Sequence, residues 1–100
     1  MENNNLISTT NNIINVNEET FVSEVVEVSK IKPVIVDFWA PWCEPCKTLT
    51  PLLEDAIKSL GKDLILAKID IDKNQNIAAQ LRIQSIPTVY TFFEGKVVDG

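Results

Sequence analysis

The sequence contains no histidine, three glycines and two cysteines in 100 residues. A structural zinc site normally takes four nitrogen or sulfur ligands, which one cysteine pair without histidine cannot supply, so no metal is expected. No glycine-rich phosphate loop occurs, and no bound cofactor is expected. Basic residues are also scarce. Nine Lys and Arg stand against 14 Asp and Glu, a net charge of −5. Nucleic acid and anionic membrane surfaces demand the opposite sign. No apolar run approaches the length of a bilayer span. The N-terminus, Met1-Glu2-Asn3-Asn4-Asn5, lacks the basic and apolar regions of a secretory signal, so the expected location is the cytoplasm.

What is present is ordinary for one soluble domain: 45% hydrophobic and 23% charged residues, enough for a single usable core. The feature that stands out is Trp42-Cys43-Glu44-Pro45-Cys46-Lys47. A purely structural disulfide here would close a loop of about four residues and contribute only about 2 kcal/mol before strain, in a reducing compartment. Redox chemistry is the stronger reading of the pair.

Along the chain, residues 1 to 12 are polar and Asn-rich and read as a disordered leader. Ile13-Ile14-Asn15-Val16 reads as an edge strand. Asn17 reads as an N-cap followed by Glu18 and Glu19, with Phe21, Val22, Val25, Val26 and Val28 at helical spacing. Val34–Trp39 is a nearly continuous apolar run, the mark of a strand covered on both faces, and Asp37 inside it is the anomaly. A helix begins near Cys43 and ends at Gly61, with Pro51 inside it and a predicted buried stripe of Leu49, Leu52, Leu53, Ala56, Ile57 and Leu60. Leu64–Ile69 is a second core strand, Ile77, Ala78 and Leu81 mark a short helix, and Thr88–Phe93 is a third core strand. Glu94-Gly95 signals a hairpin to a return strand at Lys96-Val97-Val98. The order predicts an α/β domain over 13–100: a mixed sheet of four to five strands with helices on both faces. A further C-terminal helix is expected beyond Gly100.

The stretch Val36-Asp37-Phe38-Trp39-Ala40-Pro41-Trp42-Cys43-Glu44-Pro45-Cys46-Lys47 resembles the thioredoxin active-site segment. The resemblance continues through Pro51, Ala67-Lys68-Ile69-Asp70, Ile86-Pro87-Thr88 and Phe92-Phe93-Glu94-Gly95. It implies the thioredoxin fold and a thiol–disulfide oxidoreductase that reduces protein disulfides. Leu66–Asp72, Ile77–Gln80, Ile86–Tyr90 and Val97–Gly100 also look like the thioredoxin domain of bacterial co-chaperones that carry tetratricopeptide repeats after it. Implied partners are disulfide-containing or unfolding client proteins, a thioredoxin reductase and, on the co-chaperone reading, a chaperonin.

Each residue of the motif then takes a role. Cys43, at a helix N-terminus where unpaired N–H groups and the helix dipole favour an anion, is the candidate nucleophile. Cys46, one turn along and expected to be more covered, is the resolving thiol. Pro45, in the first turn, has no N–H to lose and stiffens the loop. Glu44 stands where the thioredoxin pattern has Gly. Its carboxylate either opposes the Cys43 thiolate and tunes the couple, or is solvated and inert. By resemblance, Asp37 lies beneath Cys46 and takes or returns a proton during exchange through water, its pKa raised by desolvation. Lys68 is Asp37's expected partner, or a strand lysine reaching out to solvent. Pro87 after Ile86 is a cis-proline by resemblance, facing the dithiol, where the Ile86 backbone could pair with an extended client segment. Trp42, Pro45 and Ile86 form an expected apolar docking rim, whereas Trp39 is expected to be mostly core.

Overall fold

A computed structural model describes residues 12–99. The expected leader lies outside the described residues apart from Asn12, which is buried and donates its side-chain amide to the Gly61 carbonyl at 2.9 Å. Five strands, β1 (Ile13–Asn15), β2 (Val34–Trp39), β3 (Ile65–Asp70), β4 (Thr88–Phe93) and β5 (Lys96–Asp99), form one sheet in the order β1-β3-β2-β4-β5. β1, β3 and β2 run parallel, and β4 and β5 are antiparallel to their neighbours. The expected mixed sheet is thus present, and the expected edge strand is at its edge.

Strand alternation separates two faces of β2. Val34, Val36 and Phe38 are fully buried in the main core with Ala67, Ile69 and Phe92. Phe21 meets Phe92 edge-on with ring centroids 5.7 Å apart, and Phe38 meets Tyr90 in the same manner at 5.4 Å. Phe21 opens the first helical segment, so that segment covers this face. Ile35, Asp37 and Trp39 point to the opposite face, where the long helix α1 (Glu44–Leu60) lies.

The first helical segment departs from the expected α-helix. It is a π-helical turn, Val22–Val26, closed by the Glu27 N–H donating to the Val22 carbonyl at 2.9 Å, and a 3₁₀ turn, Val28–Lys30. Crowded β-branched side chains have low α-helical propensity, and packing against the sheet decides the local winding here. The expected cap by Asn17 is not made: the N-cap of the Val22–Val26 turn is Phe21, without a side-chain hydrogen bond. Asn17 Oδ1 instead accepts from the Glu19 and Thr20 N–H groups at 2.9 and 3.0 Å, closing the preceding turn.

α1 begins and ends where its sequence signals stand. Cys43 is its N-cap, and Gly61 closes it at φ +82°, ψ −148°, donating its N–H to the Ile57 carbonyl. That backbone region is open to glycine and strained for any other residue. The expected buried stripe is only partly right. Cys46 and Ile57 are buried and Leu49 and Leu53 half-buried, but Ala56 is exposed and Leu52 and Leu60 are each 60% exposed. The sheet takes the row through Cys46, Thr50, Leu53 and Ile57, while Leu52, Ala56 and Leu60, four residues apart, form a second row turned away from it. The short helix α2 (Gln75–Gln80) receives the Glu18 carboxylate at its start, on the N–H groups of Asn76 and Ile77. No helix among the described residues is long and apolar enough to cross a membrane.

Candidate active site

The chain emerging from the C-terminal end of β2 has three residues, Ala40, Pro41 and Trp42, before the cap of α1. A cysteine at that cap sits where backbone N–H groups converge. The Cys46 N–H donates to Cys43 Sγ at 3.2 Å, so the cap interaction is made by the sulfur itself. Cys43 and Cys46 are joined as a disulfide with Cα atoms 5.3 Å apart, the reach of a first helical turn. Glu44 and Pro45 occupy the first two helical positions, and the proline loses no hydrogen bond there.

Burial does not distinguish the two sulfurs. Cys43 is 3% exposed and Cys46 2%, so the expected greater cover of Cys46 is marginal in the disulfide form. Position does distinguish them. Cys43 holds the cap, between exposed Trp42 and exposed Glu44. Cys46 instead lines a cleft of about 330 Å³ on the sheet side of α1, together with Trp39, Thr50 and Lys68. A larger, more polar cleft of about 510 Å³ shares Trp39 and Lys68 with it, but holds neither cysteine.

Ala40, Cys43 and Cys46 form a small buried cluster, and Trp39, Ile71 and Ile86 pack against it. Ile86 thus reaches the dithiol from 40 residues further along the chain than Cys46, as the motif leads one to expect. The Ile86-Pro87 peptide bond is cis. Trp42 is 63% exposed, and its indole N–H is held by both Asp72 carboxylate oxygens at 3.0 and 3.2 Å. Pro45 is also exposed. Trp39 is half-buried and lines both clefts, so it is less a core residue than the sequence suggests.

Asp37 is completely buried. Its Oδ2 accepts the Thr50 hydroxyl at 2.6 Å, and its Oδ1 has no hydrogen-bond partner among the described residues. Desolvation raises its pKa above the ordinary carboxylate value, only partly opposed by the Thr50 hydrogen bond and the Lys68 charge. Lys68 is Asp37's register partner on β3 and so shares its face. It does not make the direct pair that the sequence suggests. Its ammonium pairs with Glu54 of α1 at 2.7 Å, the more accessible carboxylate. Lys68 therefore acts on Asp37 through space, not through a hydrogen bond.

Glu44 is the weakest member of the set. Its side chain is 80% exposed and pairs with Lys47 at 2.8 Å, which places an opposite charge beside it in solvent. This geometry favours the second of the two readings of Glu44, a solvated carboxylate.

Thr50 and Glu54 belong to the site although the motif does not single them out. The one signal in the sequence is spacing: Cys46, Thr50 and Glu54 recur every four residues and must share one helix face. A threonine and a glutamate in a helix carry no sign of function until Asp37 and Lys68 stand opposite them.

The sequence profile described as Thioredoxin matches residues 12–100. A thioredoxin of Rickettsia felis is 44% identical over 85 residues, 85% of this chain and 79% of that protein. A thioredoxin of Mycobacterium bovis is 42% identical over 85 residues, covering 85% and 72% respectively. A thioredoxin of Bacillus subtilis is 39% identical over 87 residues, covering 87% and 80%.

Proposed function

Because the chain belongs to the thioredoxin family and is therefore a thiol–disulfide oxidoreductase that reduces protein disulfides, we propose that Cys43 is its attacking thiol and Cys46 its resolving thiol. The observation that carries this assignment is the Cys46 N–H donated to Cys43 Sγ at the cap of α1. A sulfur in that position is stabilised as the anion, and the thiolate is the species that attacks a disulfide.

In the reduced protein, Cys43 thiolate attacks one sulfur of a client disulfide. A mixed disulfide forms and one client thiolate leaves. Cys46 gives its proton to Asp37, and its thiolate attacks Cys43 Sγ. The internal disulfide forms, the second client thiolate leaves, and two electrons have passed from the dithiol to the client. An external thioredoxin reductase returns them. Asp37 suits the proton step because burial brings its pKa up toward that of the thiol it serves. Lys68, neutralised by Glu54, moderates that rise. Trp42, Pro45, Ile86 and Pro87 form the docking rim, in which Ile86 packs against the cysteine cluster and its backbone pairs with an extended client strand.

A second reading is compatible with this one: a co-chaperone domain that holds unfolding clients in the cytoplasm and passes them to a chaperonin. Its support is the resemblance in β3, α2 and β4, together with exposed Trp42 beside the dithiol. Turnover of a protein disulfide with a thioredoxin reductase and its reductant separates the two. Sustained turnover, lost in Cys43→Ser, supports the reductase. Absence of turnover, with client holding that survives Cys43→Ser, supports the co-chaperone alone.

A further inference from the structure

The buried carboxylate and the resolving cysteine stand on different elements, Asp37 on β2 and Cys46 on α1. One side chain bonds the first and shares a helix face and a cleft with the second. Thr50 lies four residues after Cys46 on the same helix face, lines the same cleft, and donates its hydroxyl to Asp37 Oδ2 at 2.6 Å. We infer that Thr50 is a positioning residue for disulfide reduction: by occupying Oδ2 it fixes the carboxylate and leaves Oδ1 as the oxygen that takes the Cys46 proton. This rests on the proton role proposed for Asp37 above.

Two features of the site support the assignment. Oδ1 is buried and has no partner among the described residues, so one oxygen is held and the other is free to accept. A carboxylate on a strand has two-fold freedom about its terminal torsion, and a single short hydrogen bond to a hydroxyl fixed on a helix removes it. The charged groups facing Asp37 are Lys68 from β3 and Glu54 from α1, and these are bound to each other at 2.7 Å. Neither competes with Thr50 for the carboxylate. The proton balance is simple. Cys46 loses its proton to Oδ1, the Thr50 hydroxyl keeps its own throughout, and no further reactant is needed.

The hydrogen bond also favours the charged carboxylate, so its loss makes Asp37 a base only at higher pH. The test is reductase-coupled protein-disulfide reduction by the full chain across pH, for Thr50→Val, Thr50→Ser, Asp37→Asn and the Asp37→Asn/Thr50→Val double variant. Thr50→Val is expected to move the acid limb of the rate profile up by about one pH unit, the scale of one hydrogen bond to a charged group. On that limb the rate falls up to about tenfold, since one unit is a factor of ten in protonation. Thr50→Ser restores the wild-type limb, and Thr50→Val adds nothing in the Asp37→Asn background. The Asp37 ¹³Cγ resonance should titrate higher in Thr50→Val by the same amount. Thr50→Ala carries the same expectation should the valine variant fail to fold. An unmoved limb and resonance in Thr50→Val, with Asp37→Asn altering the profile, overturns the role of Thr50 and leaves that of Asp37. An Asp37→Asn profile identical to wild type overturns both. A Thr50→Val shift that persists in the double variant also overturns it, because Thr50 would then act through another group.

Discussion

Cys46→Ser protein mixed with a disulfide-bearing client is expected to accumulate a stable covalent complex through Cys43, and Cys43→Ser protein is expected to accumulate none. Both variants lose catalytic turnover to the uncatalysed background. The asymmetry follows from the cap of α1. Cys43 Sγ receives a backbone N–H there, and the positive end of a 17-residue helix lies behind it. Removing Cys46 leaves that thiolate able to attack but leaves nothing to resolve the mixed disulfide, so the intermediate persists. Removing Cys43 leaves a thiol facing the sheet-side cleft, away from exposed Trp42 and Pro45, the proposed docking rim. Non-reducing electrophoresis and mass mapping of the linked peptides read the result. A complex formed equally by both variants would remove the distinction between attacking and resolving thiol.

Replacing Asp37 by Asn is the second large effect, and it acts on rate and stability in opposite directions. On the proton role proposed for Asp37, reduction near neutral pH is expected to slow, because general-base contributions are commonly about 10²–10⁴-fold. The fold becomes more stable. The sign follows from linkage. The folded pKa of Asp37 lies above its unfolded value, so the folded state binds the proton more tightly. Asp37 therefore favours folding fully only below its unfolded pKa, and that contribution is lost as pH rises through the folded pKa. Above its folded pKa, the wild-type protein holds a buried carboxylate with one unpartnered oxygen. Asn keeps the shape but removes the charge, so the desolvation cost of the carboxylate is relieved and the variant is expected to be the more stable of the two in that range. Urea unfolding of the disulfide form from pH 4 to pH 9 checks this. Wild-type stability should decline with rising pH relative to Asp37→Asn, and parallel curves would show that Asp37 carries no folding cost.

These opposed effects are why Asp37 is conspicuous in the bare sequence. An ionisable residue in an apolar run must either be satisfied or serve a purpose, and composition alone raises that question. The strands Val34–Trp39 and Thr88–Phe93, the cap at Cys43 and the stop at Gly61 are legible for a related reason: each is set by residues adjacent in the chain. Where the outcome depends on what lies across a gap, the sequence is less informative. The valine-rich segment after Phe21 carries a helical period, yet packing against β4 winds it as π and 3₁₀ turns. Leu52 and Leu60 belong to an apolar pattern wider than the face the sheet covers. Lys68 shares a face with the buried carboxylate, but a lysine satisfies its charge at lower desolvation cost with partly exposed Glu54 than by following Asp37 inward. Thr50 is silent in the sequence because a hydroxyl in a helix acquires its meaning only from what stands opposite.

That the dithiol works asymmetrically, with Cys43 as the attacking sulfur, is tested most directly by limited alkylation of the fully reduced protein. A substoichiometric amount of iodoacetamide at neutral pH, followed by peptide mass mapping, reports which sulfur is the accessible thiolate. The expected adduct is on Cys43, with Cys46 modified only after unfolding. Preferential labelling of Cys46, or equal labelling of the two, would contradict the assignment.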